Sequence, residues 1–246
     1  MPTDEPTTRW QAFHLGKAGN APAEYEDAFA ANASRTRFAV ADGASEASFA
    51  AAWARLLTEG FVEAQKPWRN LDWLAPIRDR WSAEVDGLPV PWYAEEKREM
   101  GGFATLLGAA FRRPDGDGRG AWRAVAVGDS CLFHLRRGRL LRSLPLTRSD
   151  QFDSAPRLLC SRPSSRWIEA PVRVRGRWRP GDRFLLATDA VAQWFLHEVE
   201  GGGDPAAEIA GILAATEPQA AFPAWVESRR AAGLRNDDVT LLVIDL

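Results

Sequence analysis

A layered α+β fold is what this sequence predicts, and three observations predict it. Strand-like and helix-like stretches come in blocks, not in strict strand–helix alternation, which argues against a doubly wound parallel sheet. Apolar runs repeatedly begin or end beside an aspartate, as in Phe38-Ala39-Val40-Ala41-Asp42 and Leu185-Leu186-Ala187-Thr188-Asp189. No linker, fixed-period repeat or low-complexity tract divides the 246 residues, so residues 1–246 read as one domain with a substantial core.

Taken in order, residues 1–8 are polar and expected to be flexible, without the apolar segment of a secretion signal. Trp10 to Leu15 alternates as a first strand, and Gly16 to Pro22 is a loop. Glu26-Asp27 then precede a strand from Ala28 to Asn32, a turn at Ala33 to Thr36, and a strand from Arg37 to Ala41. If the two strands pair as a hairpin, Asp27 starts one and Asp42 ends the other, so both carboxylates lie at the same end. Ser45 would cap a helix from about Glu46 to Gln65, in which Phe49, Trp53, Leu56, Leu57, Phe61 and Ala64 recur at helical spacing, closed by Pro67. A second helix covers Leu71 to Val85, with Trp73, Ile77 and Trp81 on one stripe, and a short third covers Trp92 to Arg98. These tryptophans read as packing between helix and sheet.

The middle of the chain is strand-rich. Phe103 to Phe111 is expected to be one strand, Pro114 to Gly120 a turn, and Trp122 to Val127 its partner. Gly128-Asp129-Ser130 interrupts, and strands at Cys131 to Leu135 and Arg139 to Leu144 flank a tight Arg137-Gly138 turn. Thr147 to Trp167 is irregular and suits a surface lid. From Val172 to Arg179, arginines occupy four alternate positions and so share one strand face. That pattern suits either a solvated face or a docking surface for acidic or phosphorylated substrates. A strand from Arg183 to Thr188 ends at Asp189, followed by helices over Val191 to Val199, Ala206 to Ala215 and Gln219 to Ala232. Asn236-Asp237 introduces a final strand, Asp238 to Leu246.

Composition narrows the function. Hydrophobic residues make up 46% and charged residues 26%, ordinary for a soluble globular protein. A net charge of -2 and a pI near 6.0 give no reason to expect a nucleic-acid or anionic-membrane partner. No apolar run reaches the roughly 20 residues of a membrane span. Cys131 and Cys160 form no ligand-spaced set and read as free thiols in a reducing compartment, which points to the cytoplasm. Phosphate-binding, nucleophile-elbow and dinucleotide motifs are absent from the sequence, and His14, His134 and His197 lack metal-ligand spacing.

What remains is the aspartates. Asp27, Asp42, Asp189 and Asp237 each stand at an expected strand boundary, where several carboxylates can converge. Such a cluster repels itself and takes up protons unless a cation neutralises it. Oxygen ligands without histidine or cysteine suit Mg²⁺ or Mn²⁺.

Five motifs in order, Glu26-Asp27, Val40-Ala41-Asp42-Gly43, Val127-Gly128-Asp129-Ser130, Gly181-Asp182 with Ala187-Thr188-Asp189, and Asn236-Asp237-Asp238-Val239-Thr240, resemble the metal-dependent serine/threonine protein phosphatases of the type-2C (PPM) family. The resemblance runs from about residue 12 to the C-terminus and points to a divergent bacterial-type member. It implies a four-layer αββα sandwich, two antiparallel sheets flanked by helices, with the metals at one end. It further implies that Asp42 bridges two Mn²⁺ or Mg²⁺ ions, that the Gly43 carbonyl is a further ligand, and that Asp189 and Asp237 hold one ion of the pair. Glu26 and Asp27 would contact the site directly or through water, with Asp42 and Asp27 the catalytic acids. Asp129 matches an acid that in some members holds a third ion.

The implied reaction is hydrolysis of phosphoserine or phosphothreonine in a protein, the substrate of a cognate kinase, by direct attack of a water between the two ions. Pro22 stands where the family often carries a phosphate-gripping arginine, which leaves Lys17 as a candidate replacement. Gln193 replaces an acid of the third site, and Ala44-Ser45-Glu46 and Ala190 depart from the family's glycines. These departures support an alternative, a weakly active or inactive regulatory module on the same fold.

Overall fold

The computed structural model describes residues 8–34, 36–44, 49–89, 92–113, 118–153, 155–162 and 170–246. The chain begins with β1 (Arg9–Leu15), followed by β2 (Ala28–Ala31) and β3 (Arg37–Ala41). β2 and β3 form the expected hairpin, with Ala28 opposite Ala41, so Asp27 and Asp42 lie at one end of it. Three helices follow, α1 (Ala50–Glu63), α2 (Leu74–Val85) and α3 (Trp92–Met100). The expected start of α1 at Glu46 and its cap at Ser45 lie outside the described residues. α1 ends at Glu63, ahead of Gln65, because Ala64 turns to extended backbone.

The stretch expected as a single strand is two, β4 (Phe103–Ala104) and β5 (Leu106–Arg112), with Thr105 between them. The break has a cause: the Thr105 amide keeps its in-register bond to the Asp42 carbonyl, but the Asp42 amide donates to the Thr105 hydroxyl. Next come β6 (Gly120–Val127), β7 (Cys131–Arg136), β8 (Arg139–Leu144) and β9 (Leu159–Cys160), the last pairing with β4. Part of the region expected to be an irregular lid is therefore anchored. A short turn of helix at Ser149–Gln151 is also tied to Glu200 through the Ser149 amide, 2.9 Å. The chain closes with β10 (Val172–Trp178), β11 (Asp182–Ala187), α4 (Asp189–Glu200), α5 (Pro205–Ala214), α6 (Pro218–Ala231) and β12 (Val239–Asp245).

Two five-stranded antiparallel sheets result, in the orders β1-β12-β11-β7-β8 and β10-β6-β5-β3-β2. Period-two alternation gives each sheet two apolar faces, and this produces three cores. Between the sheets, Phe38, Val40, Leu107, Trp122, Phe184 and Leu242 interdigitate. Outside the second sheet, α1 and α2 bury Trp53, Leu57, Phe61 and Trp81 against Ala39, Ala41 and Val125. Outside the first, α4, α5 and α6 bury Val191, Phe195, Ile209 and Phe222 against Phe133, Leu185 and Leu241. The architecture is the αββα sandwich; Trp53 and Trp81 are fully buried packing residues as expected, and Trp122 on β6 is buried as well. No described helix is long and apolar enough to cross a membrane.

One polar group is buried at the start of β11. Asp182 is 1% exposed and accepts from Arg136 Nε (2.7 Å) and Nη2 (2.8 Å) and from the Arg179 amide (2.9 Å). His134 Nε2 lies 2.8 Å from the same carboxylate, its ring stacked on Phe184 at 4.2 Å. Asp182 is thus a structural acid, at the opposite end of β11 from Asp189.

Candidate metal centre

Strand ends from both sheets meet at one edge of the sandwich. Asp42 leaves β3, Asp129 sits in the β6–β7 turn, and Asp189 opens α4 directly after β11. One carboxylate oxygen from each of the three lies within 4.8 Å of the others. Asp129 therefore joins Asp42 and Asp189 as closely as any acid of the expected set.

The backbone around each acid is fixed by short-range chemistry. The Asp42 amide donates to Thr105 Oγ1 at 3.0 Å, and the Thr105 amide donates to the Asp42 carbonyl at 2.8 Å. Thr105 Oγ1 also lies 2.8 Å from Ser130 Oγ, which joins the Asp42 and Asp129 segments. Gly128 adopts φ +98°, and a Cβ there would meet Thr105 Cγ2 at 2.6 Å, so this turn needs glycine. At Gly43 a Cβ would stand 2.7 Å from the Glu26 carbonyl oxygen, so glycine lets the Glu26-Asp27 segment close against the Asp42-Gly43 turn.

Asp27 is held from the other sheet. Its Oδ2 accepts from Thr188 Oγ1 (2.9 Å) and Thr240 Oγ1 (2.7 Å), and the Tyr25 hydroxyl bonds to Thr240 in turn. Asp238 organises the approach: its two oxygens accept from the amides of Lys17 (2.8 Å) and Glu26 (2.7 Å). Of the expected residues, Glu26 is placed here through its backbone, Gly43 through its contact with that backbone, and Asp237 through its charge.

The electrostatics are those of a site built for cations. Burial, joined by the charges of Asp27, Asp129 and Asp237, holds the Asp42 carboxyl well above the usual carboxylate range. Burial raises Asp27 to about 7 against its two threonine hydrogen bonds, with Asp238 and Asp237 adding repulsion. Burial lifts Asp129 to about 6, with Arg235 easing the shift. Asp27 Oδ1, both oxygens of Asp129 and Asp189 Oδ1 are buried without a hydrogen-bond partner. Carboxylate oxygens orphaned at the meeting point of three acids fit a hard divalent ion, so the donor set agrees with Mn²⁺ or Mg²⁺.

One participant escaped the sequence reading. Arg235 pairs with Asp189 Oδ2, its Nε stands 3.5 Å from Asp237 Oδ2, and its charge opposes the upward shifts of Asp42 and Asp129. It also lines a cleft of about 300 Å³ beside the acids with Gln193, Trp194, His197 and Arg229. Lys17 lines a different cleft, with His14, Tyr25 and Arg230. Whereas Lys17 lines that other cleft, Arg235 is thus a cation brought to the acidic centre. Its only sequence signal is its position two residues before Asp237.

Comparison with known proteins agrees with this fold. No curated protein sequence matches the chain. Among solved structures, the Mycobacterium tuberculosis serine/threonine phosphatase PstP/Ppp superposes with a TM-score of 0.61 at 19% identity, covering 97% of this chain and 98% of that one. A catalytic domain of PstP in complex with two manganese ions gives 0.57 at 22% identity, with 97% of each chain covered. The phosphatase MsPP from Mycobacterium smegmatis gives 0.54 at 21% identity, covering 97% and 98%. At these identities the superpositions establish a shared fold. The sequence profile of protein phosphatase 2C matches residues 21–227, and the chain belongs to that family.

Proposed function

We propose that the chain is an active phosphatase that removes phosphate from phosphoserine and phosphothreonine in proteins phosphorylated by a cognate kinase, using two Mn²⁺ or Mg²⁺ ions. The observation that carries this reading is the convergence of Asp42, Asp129 and Asp189, with buried carboxylate oxygens left unpartnered. Bound divalent ions supply Lewis-acid charge that lowers the pKa of a water and neutralises phosphoryl oxygens. The chain's own residues do the rest. Asp42 and Asp129 present carboxylates from one sheet and Asp189 from the other, with Asp237, Glu26 and the Gly43 carbonyl completing the ion-binding set. Thr188 and Thr240 clamp one oxygen of Asp27 and leave the other to orient the attacking water. No side chain is required as a covalent nucleophile, so the phosphoryl group passes directly to water. The two unpaired, buried cysteines are consistent with work in the cytoplasm.

Hydrolysis of p-nitrophenyl phosphate and of a phosphothreonine peptide tests the reading, with Mn²⁺, with EDTA, and with Asp42→Asn. Activity should require Mn²⁺ or Mg²⁺ and fall by at least about a hundredfold in the variant. Turnover that survives both EDTA and Asp42→Asn would defeat it. The placement of Arg235 on Asp189 and Asp237 favours a second reading, in which a resident guanidinium excludes ions and the fold serves as a binding module. Mn²⁺ binding followed by calorimetry separates the two, since the module binds none.

A further inference from the structure

The arginine run of β10 takes no part in the metal centre. Strand register shows what it joins. Arg37 on β3 lies opposite Ala110 on β5, which lies opposite Arg123 on β6, which lies opposite Arg175 on β10. Residues directly opposed across antiparallel strands share a face. Two positions along, Arg112, Ala121 and Arg177 form a second row, and on the other side Arg173 aligns with Val125 and Gly108. Six arginines thus occupy the outer face of this sheet, with Arg37 at its α1 border, where its Nη1 donates to the Val62 carbonyl (3.0 Å) and to the Ala64 carbonyl at the end of the helix.

Trp68 lies over this face from the loop after α1. Its ring is 5.5 Å from the Arg123 guanidinium and 6.0 Å from that of Arg37, and its carbonyl accepts from Arg173 Nε at 3.0 Å. Trp68 Nε1 is buried with no hydrogen-bond partner. A groove of about 500 Å³ runs between them, lined by Thr36, Arg37, Trp68, Arg112 and Arg123 and by no acidic residue among those described. Among the described residues, none of Arg37, Arg123, Arg173 or Arg175 is paired with a carboxylate. Arg55, Arg80, Arg136, Arg183 and Arg230 elsewhere all are. Placing Arg123 directly opposite Arg175 works against the sheet by like-charge repulsion. An anionic ligand would relieve it.

We propose that this groove docks an acidic, Asp/Glu-rich segment of a protein partner. Guanidinium forks donate to carboxylates in bidentate fashion, and arginine stacked on an aromatic ring keeps that fork in place. The ligand is a short acidic chain segment and not a long polyanion, because the groove holds about 500 Å³ and its guanidinium groups gather around a single tryptophan. The groove also stands apart from the acids. Arg37 begins β3 and Asp42 follows its end, about 17 Å away along the strand at roughly 3.3 Å per residue. Docking therefore proceeds without metal.

Fluorescence anisotropy of a fluorescein-labelled (Glu-Asp)5 decapeptide, titrated with the full chain in EDTA, tests this. Saturable one-to-one binding is expected, weakened about tenfold by Arg123→Gln and abolished by Arg123→Glu with Arg175→Glu. Arg139→Glu, on a strand of the other sheet, should leave it unchanged. Circular dichroism and melting temperature verify folding, and Arg173→Gln with Arg175→Gln gives a milder pair should the reversals unfold the chain. Three results would overturn the inference: no binding by the wild type, binding indifferent to these substitutions, or tighter binding of a 20-nucleotide single strand or phosphatidylserine vesicles through the same arginines. Because the probe carries no phosphate and the assay no metal, its outcome is independent of whether the chain is an active phosphatase.

Discussion

Replacing Asp182 by alanine should be among the more damaging single changes outside the apolar cores. Its carboxylate is 1% exposed and accepts four hydrogen bonds, two from Arg136, one from the Arg179 amide and one shared with His134. Removing one partner of a buried charge pair costs about 3–5 kcal/mol, because the other charge is left desolvated. Arg136 is 31% exposed and can turn partly to water, so the lower end, about 3 kcal/mol, applies. For a chain of this size, each kcal/mol shifts the melting temperature by roughly 2–4 °C, so a loss of roughly 6–12 °C is expected.

The pH dependence follows from the same group. Burial pushes Asp182 up, but hydrogen bonds from Arg136, Arg179 and His134 outweigh it and set its carboxyl below the ordinary value. Its contribution is then complete above the ordinary carboxylate pKa and disappears as pH falls through the depressed one. Burial lowers His134 below the ordinary imidazole value despite the pull of Asp182, so stability also declines as pH drops below about 6.5. Thermal unfolding of wild type and Asp182→Ala from pH 8 to pH 3 should show curves that converge in acid. A drop of under 2 °C at pH 7.5, or a gap that fails to narrow as pH falls below the ordinary carboxylate pKa, would refute the reasoning.

Three further outcomes are expected. Thr105→Val removes the hydroxyl that accepts from the Asp42 amide, leaving that buried donor unpaired; a destabilisation of about 1–3 kcal/mol by denaturant titration should accompany weaker Mn²⁺ binding. Gly43→Ala drives a Cβ toward the Glu26 carbonyl and should lower Mn²⁺ affinity by calorimetry more than it lowers melting temperature. Arg235→Gln takes a cation from Asp189 and Asp237; Mn²⁺ should bind about three- to tenfold tighter, modest because the arginine is 38% exposed and its charge is screened.

Much of the site was legible because its acids mark strand ends. Asp27 and Asp42 flank two short apolar runs separated by a turn, and antiparallel pairing puts them together whatever else the chain does. Asp189 follows an apolar run directly, and glycines at 43 and 128 flag turns with no room for a side chain. Thr105 was hidden by its own chemistry: a β-branched residue inside an apolar run favours a strand, and only tertiary contact shows that its hydroxyl takes the Asp42 amide. Arg235 gave no pattern, since an arginine in a polar turn reads as an ordinary solvated surface residue. Trp68 differs from the other tryptophans because the arginines beside it lie on three strands, and strand register is not written in local sequence. Asp182 sat in the right motif order yet serves the fold, because it starts β11 while the site gathers at that strand's other end.

The central place of β12 has a consequence for biosynthesis. It lies between β1 and β11, and its Thr240 reaches Asp27 across 213 residues of sequence. Until β12 inserts, the threonine clamp on Asp27 is incomplete and Asp237 has no strand to hold it near Asp42. During translation the mutually repelling carboxylates therefore remain distributed along a growing polypeptide, where their ionisation is unstrained and they make a poor chelator. The acidic cluster closes late, as the outcome of global folding, so neither a nascent chain nor a proteolytic fragment lacking β12 would present the proposed ion-binding site.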